Sequence, residues 1–452
     1  MWLLDTTTYT LHLEQDPARV TYAILSHVWD QPLVRERLSP KVRSCCDYAR
    51  SQGFKYAWID TCCIDKSSSA ELSEAITSMF DWYSIAAVCY VFLADVPETE
   101  NPAARWSQFG ESRWFERGWT LQELLVPQRN VFLSKNWRPI GTKKSLSKTI
   151  ETITGIDEDI LVHRRPLHTV SVARRMSWAQ FRQTTRVEDE AYCLMGIFGV
   201  RIPAIYGEGR HAFVRLQEEI MKSIPDQSLF AWGDVLPFNH VGPEGIRLPR
   251  VRQVPLDELR ASEGAYLLAS CPLDFDGKCK DFKPVSLAAL SSMLGIPPLE
   301  TPTHVPTSHG VRVTLPIFTL RLPSTKTGWI NVELGLLACQ DSYGRLAALI
   351  LSAKDTTSGT YLVSGYKYVG MSSHILNDVD EDLLELAPVV YVAMPYSARC
   401  SPLYPRIILL QPALIARTIA RHSGPLTYHN ICITHQRLPA GSARPNLAMG
   451  PL

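Results

Sequence analysis

A chain of 452 residues with 46% hydrophobic and 20% charged residues has ordinary globular composition. It is long enough for two or three domains that bury their cores without metals or disulfides. A net charge of +1 gives no electrostatic case for a nucleic-acid or membrane surface. Eleven cysteines with no CxxC spacing read as reduced, mostly buried thiols, not as a zinc, redox or disulfide framework. The opening Met1-Trp2-Leu3-Leu4-Asp5 has neither a basic flank nor a long apolar run. No apolar stretch approaches the ~18 residues of a membrane span. These features, with the absence of an N-x-S/T sequon, predict no signal peptide, no span and a cytoplasmic location.

The first region alternates strand and helix signals. Tyr22–Ser26 is a short apolar run, a buried-strand candidate. Ser39-Pro40 opens a helix to about Gln52, with Gly53 beyond its end. Tyr56–Asp60 reads as the next strand. Between Ala70 and Ser84, Leu72, Ala75, Ile76, Met79, Phe80 and Tyr83 recur at helical spacing. Val88–Leu93 is apolar throughout, as a strand covered on both faces would be. A helix over Ser112–Leu125 and a strand at Val131–Leu133 follow. This alternation predicts an α/β domain over 1–142, a parallel sheet wrapped by helices.

From 143 to 232 the pattern is helical, with candidates at Ser147–Thr154, Val170–Arg182, Val187–Phe198 and Glu208–Ser223. Over 233–452 prolines and β-branched runs predict a β-rich domain of unknown function. Its strand candidates are Val311–Leu315, Trp329–Cys339, Leu346–Leu351, Tyr361–Val363, Val389–Val392 and Ile407–Leu410. A Pro/Thr/His-rich surface loop is expected over 297–310.

Three segments place polar residues among aromatics where strands end or a helix lies. They are Leu25-Ser26-His27-Val28-Trp29-Asp30, Trp58-Ile59-Asp60-Thr61-Cys62-Cys63-Ile64-Asp65-Lys66 and Arg117-Gly118-Trp119-Thr120-Leu121-Gln122-Glu123-Leu124. In a parallel sheet, ligands bind beyond the carboxyl ends of the strands, which is where Ser26 and Asp60 are predicted to fall.

In order and spacing these segments resemble the motifs of the fungal heterokaryon-incompatibility (HET) domain, roughly Y-x-x-L-S-Y-x-W-G, W-I-D-x-x-C-I-x-Q and R-x-W-T-x-Q-E. The chain departs from them at His27, Asp30 and Lys66. The resemblance runs from about Tyr22 to Pro127. The stretch Arg186 to Trp232, with Asp189-Glu190-Ala191-Tyr192-Cys193-Leu194 and Tyr206-Gly207-Glu208-Gly209, resembles the segment that follows the domain in many fungal proteins. The HET domain is in turn similar to the TIR domain, a flavodoxin-like fold. Trp119 to Leu124 resembles the TIR segment whose glutamate cleaves NAD+.

The resemblance implies an effector or signalling protein of fungal non-self recognition and innate immunity that leads to programmed cell death. It implies Glu123 as a catalytic residue cleaving the nicotinamide–ribose bond, with Ser26, Trp29, Asp60, Arg117 and Trp119 around the substrate. NAD+ would be a substrate; no cofactor and no metal are implied. Self-association through the domain, and an upstream receptor or another HET protein as partner, are also implied. The chemistry is sound: an oxocarbenium-like transition state is stabilised by a nearby carboxylate. Nicotinamide leaves neutral, so no general acid is required.

Other readings remain open on the residues alone. Glu123 reads equally as a solvated helix acid or as an ion-pair partner of Arg117. The four tryptophans Trp29, Trp58, Trp114 and Trp119 read as packing. Asp60 suits a turn cap, and His27 a hydrogen-bonded structural histidine. Gly207-Glu208-Gly209 reads as a turn opening the helix with Phe213, Leu216 and Ile220, not as a dinucleotide fingerprint. A non-enzymatic interaction module, or a ligand sensor working through the β-rich region, are the alternative functions.

Overall fold

Strands and helices alternate as the apolar runs predict. The computed structural model describes residues 1–28, 39–98, 101–233, 235–236, 240–242, 245–247, 251–253, 267–275, 280–295, 304–307, 310–324, 328–355, 360–363, 366–368, 407–410 and 427–433. The chain divides into two units. One comprises Met1–Gly233, Leu268–Ser286 and Ala338–Arg345; the other comprises Asp234–Leu267, Leu287–Leu337 and Leu346–Leu452.

In the first unit the elements run β1 (Trp2–Asp5), β2 (Leu11–Leu13), β3 (Tyr22–His27), α1 (Pro40–Ser51), β4 (Tyr56–Trp58), α2 (Asp60–Cys63), α3 (Ser69–Ile85) and β5 (Val88–Phe92). Then come α4 (Thr120–Leu125), β6 (Asn130–Leu133) and β7 (Pro139–Thr142). The seven strands form one sheet in the order β2-β1-β4-β3-β5-β6-β7. Its central pairings, β3 with β4, β3 with β5 and β5 with β6, are parallel. Ile24, Leu25, Ala57, Trp58, Cys89 and Val91 are buried in it. Each fully buried aliphatic side chain there contributes about 1.5–3 kcal/mol.

Helix ends follow local chemistry. Ser39 accepts from Val42 N, Pro40 occupies the first turn, and Gly53 takes φ +86° just past the end of α1, a left-handed conformation that suits glycine. Ser68 accepts from Glu71 N at the start of α3.

Several expectations are corrected. Strand β4 stops at Trp58, and Asp60 opens α2 instead of ending the strand. The edge strands β1, β2 and β7 pair antiparallel; each is three or four residues long, too short to show alternation. The expected helix over Ser112–Leu125 is two pieces, a 3-10 turn Arg113–Glu116 and then α4. Between them Arg117 is extended and bridges Gln183, with Gly118 N donating to Gln183 O at 2.9 Å. That non-local pairing overrides local helix propensity.

The helices beyond are α5 (Ser147–Thr154), α6 (Glu158–Leu161), α7 (Val172–Ser177), α8 (Asp189–Tyr192), α9 (Met195–Phe198) and α10 (His211–Ser223). Thus α7 is shorter than expected, and the helix expected over Val187–Phe198 is broken into two.

In the second unit, Gly310–Ser324 pairs antiparallel with Gly328–Gln340 and with Thr427–Ile433. Leu346–Asp355 pairs with Thr360–Val363 and Ile407–Leu410. Val305–Thr307 is a strand within the expected surface loop, and Leu287–Leu294 an unanticipated helix. Val389–Val392 lies outside the described residues. Among the described residues no helix is long and apolar enough to cross a membrane.

Candidate functional site

From β3 the chain passes through α1 to β4 on one side, then crosses back to β5 on the other. The order therefore reverses between β3 and β5, so the connections leaving these two strands run in opposite directions across the sheet. Such a switch point is where open parallel sheets bind ligands. A cleft of about 220 Å³ lies there, lined by Val28, Phe92, Leu93, Ala94, Asp95, Arg113 and Trp114.

Behind the cleft wall is a directed hydrogen-bond chain. Trp114 Nε1 donates to Ser26 Oγ at 2.7 Å, and the Ser26 hydroxyl donates to Glu123 Oε2. Ser26 is placed by β3 and Glu123 by α4. Asn130, at the start of β6, holds α4 by donating to Glu123 O at 2.9 Å. Tyr83, on the buried face of α3, sits 3.0 Å from Leu25 O and hydrogen-bonds the Glu123 carboxyl.

Glu123 is 6% exposed, so it is no solvated helix acid. Burial pushes its carboxyl up to about 8, and the nearby Asp60 charge adds to this. The Ser26 and Tyr83 hydrogen bonds and the Arg182 guanidinium pull it back down. The cation facing it is thus Arg182, not Arg117. Arg182 donates to Arg117 O at 2.9 Å and Thr120 Oγ1 at 3.0 Å.

His27 points to a second polar group. Its Nε2 lies 3.1 Å from Asp60 Oδ1, and Lys41 Nζ is 3.4 Å from Nδ1 and donates to Val28 O at 3.0 Å. Nδ1 also lies 3.2 Å from Val28 O.

The implied site residues therefore part ways. Ser26, Asp60 and Glu123 gather at the carboxyl ends of β3 and β4, but none of the three lines the cleft, and Ser26 and Glu123 are buried. Arg117 and Trp119 turn toward the helical segment instead. Arg117 donates to Thr185 Oγ1 at 3.1 Å, and Trp119 hydrogen-bonds Asp189. Trp29 lies outside the described residues. Tyr83, Trp114 and Arg182 are not singled out as site residues by the sequence. Tyr83 had a signal in its helical periodicity; Arg182 had none, because only folding brings it beside α4.

The Asp189 and Gly207 motifs interlock. Gly207 N and Gly209 N donate to Glu188 Oε1 at 2.8 and 3.0 Å, Tyr206 donates to Asp189 Oδ1 at 2.9 Å, and Tyr192 to Glu208 Oε1 at 2.8 Å. The glycine pair serves a carboxylate, not a phosphate.

Comparison with known proteins matches two stretches of the chain to described families. Residues 22–108 match the family described as heterokaryon incompatibility protein (HET), and residues 211–391 match a domain of unknown function, DUF8212. The chain is 46% identical over 220 residues to the vegetative incompatibility protein HET-E-1 of Podospora anserina, covering 44% of this chain and 16% of that relative. The chain thus corresponds to a minor part of that relative's length. No solved structure matches. By these matches the chain carries a heterokaryon incompatibility (HET) domain.

Proposed function

We propose that this chain is an effector or signalling protein of fungal non-self recognition whose HET domain triggers cell death by cleaving NAD+ at the nicotinamide–ribose bond. The observation that carries this reading is the placement of Glu123. Its carboxyl is joined through Ser26 to Trp114, and Trp114 lines the cleft at the sheet's switch point. Once ionised, which burial delays to about pH 8, a carboxylate at that end of the sheet can stabilise the positive charge that develops on the ribose. In this reading the domain works by self-association, which an upstream receptor or another HET protein promotes.

A second reading, a non-enzymatic interaction module, is favoured by one specific fact: Glu123 is buried and held by Ser26 and Tyr83. One experiment separates the two. Purified chain is incubated with NAD+ and, in parallel, expressed in fungal cells, as wild type and as Glu123→Gln. The enzymatic reading expects loss of about 10²–10³ in cleavage rate together with loss of killing. Killing by a folded Glu123→Gln chain rejects it in favour of the module.

A further inference from the structure

Asp95 and Arg113 meet on the wall of the switch-point cleft. Asp95 lies just past the end of β5. Its oxygens accept from Ser112 Oγ at 2.8 Å and Arg113 N at 2.9 Å. These bonds pin the 3-10 turn to the strand end and fix where the Arg113 side chain leaves the backbone. Arg113 is exposed, and among the described residues its guanidinium has no recorded ion pair or hydrogen bond. A carboxylate has about four lone-pair sites, and two are used here, which leaves Asp95 able to accept from a vicinal diol. Val28, Phe92 and Trp114 supply apolar walls. Lys41, bonded to the carbonyl of Val28, adds a second cation near the rim.

In nucleotide sites of this sheet type a carboxylate takes ribose hydroxyls, and the arginine fork matches phosphate oxygens. The volume of about 220 Å³ falls below the roughly 300 Å³ at which sites for whole small ligands begin. It therefore suits a ribose and its phosphate, not an entire dinucleotide. We propose that this cleft is a ribose-phosphate subsite, in which the Arg113 guanidinium takes the phosphate oxygens and the Asp95 carboxylate takes the ribose hydroxyls. The subsite rests on the nucleotide reading above but does not require Glu123 to be catalytic.

The test is calorimetric titration of the full chain with ADP-ribose, which has no nicotinamide bond to cleave. Wild type binds, Arg113→Gln weakens binding about tenfold or more, and Arg113→Lys, which keeps the charge without the fork, recovers part of it. Asp95→Asn also weakens binding; because Asp95 anchors the 3-10 turn, its melting temperature is checked alongside. Arg113 is a surface side chain, so its variants keep the fold and decide the matter. Unchanged affinity in Arg113→Gln, or no binding of ADP-ribose by wild type, overturns the subsite. Arg113-dependent binding in a chain that consumes no NAD+ leaves the subsite standing and removes the enzymatic reading alone.

Discussion

A carboxyl that leaves water to sit among Ser26, Tyr83 and Trp114 surrenders solvation that three hydroxyl and guanidinium neighbours only partly replace. Glu123 is therefore protonated in the folded chain up to about pH 8 but only up to about pH 4.5 when unfolded, its ordinary value. Between those limits the folded state holds one more proton, so this group's contribution to stability falls as pH rises, by about 1.4 kcal/mol per unit at most. Below pH 4.5 both states are protonated and the contribution is complete. Urea midpoints of wild type and Glu123→Gln at pH 5, 6.5 and 8 measure it. Glutamine cannot ionise, so the variant is expected to gain on wild type as pH rises. Parallel pH profiles would mean that Glu123 is charged in the resting protein. At this scale the sequence singled out Ser26 and Glu123 by their motifs, and the fold joins the two by a hydrogen bond. It did not show that Trp114 and Arg182 complete their surroundings, since those contacts span distant parts of the chain.

Helix α4 is only six residues long, too short to be stable on its own propensity, and it is held from outside at both ends. At its carboxyl end the buried Lys143 ammonium donates to Leu124 O, Leu125 O and Pro127 O at 3.0, 3.2 and 2.6 Å. It also lies 3.1 Å from His163 Nε2. A cation there satisfies carbonyls that no amide reaches and complements the helix dipole. Burial lowers Lys143 to about 7. Lys143→Met is expected to destabilise the chain by about 3 kcal/mol, because three buried carbonyls lose their donor. A change in denaturation midpoint within error would show that the carbonyls are satisfied otherwise. A second contact tests the packing of α9 on α3. A Cβ on Gly196 would lie 2.1 Å from Phe80 Cδ2, so Gly196→Ala is expected to cost about 1–3 kcal/mol. Neither device was readable beforehand. Lys143 looks like any surface lysine after a strand, and Gly196 like an unfavourable residue within a helix. The parallel strands were readable because each is a continuous apolar run. The break at Arg117 was not, because its partner Gln183 is supplied by the tertiary fold.

At the scale of the whole molecule, the first unit does not end where its sequence pattern changes. Residues 268–286 and 338–345 return to it, and they close polar groups that the first 233 residues leave open. The buried Gln217 side chain donates to Ala269 O at 2.8 Å and accepts from Ala269 N at 2.9 Å. Ala338 N donates to Gln227 Oε1 at 2.6 Å, and Gly233 N to Asp274 O at 2.9 Å. Leu268, Phe275 and Phe282 are buried as well. A fragment of residues 1–233 would lose these apolar side chains and expose or orphan the Gln217 and Gln227 amides. Each orphaned buried group costs about 1–3 kcal/mol, and each large apolar side chain removed costs about as much again. That sum is comparable with the whole stability of a typical domain. The fragment is therefore expected to express poorly or to melt far below the full chain, although it contains every residue of the HET motifs. Calorimetric melting of the two proteins side by side is the check. Equal melting temperatures would mean that the returning segments are dispensable, and that the HET domain and its helical extension form a folding unit by themselves.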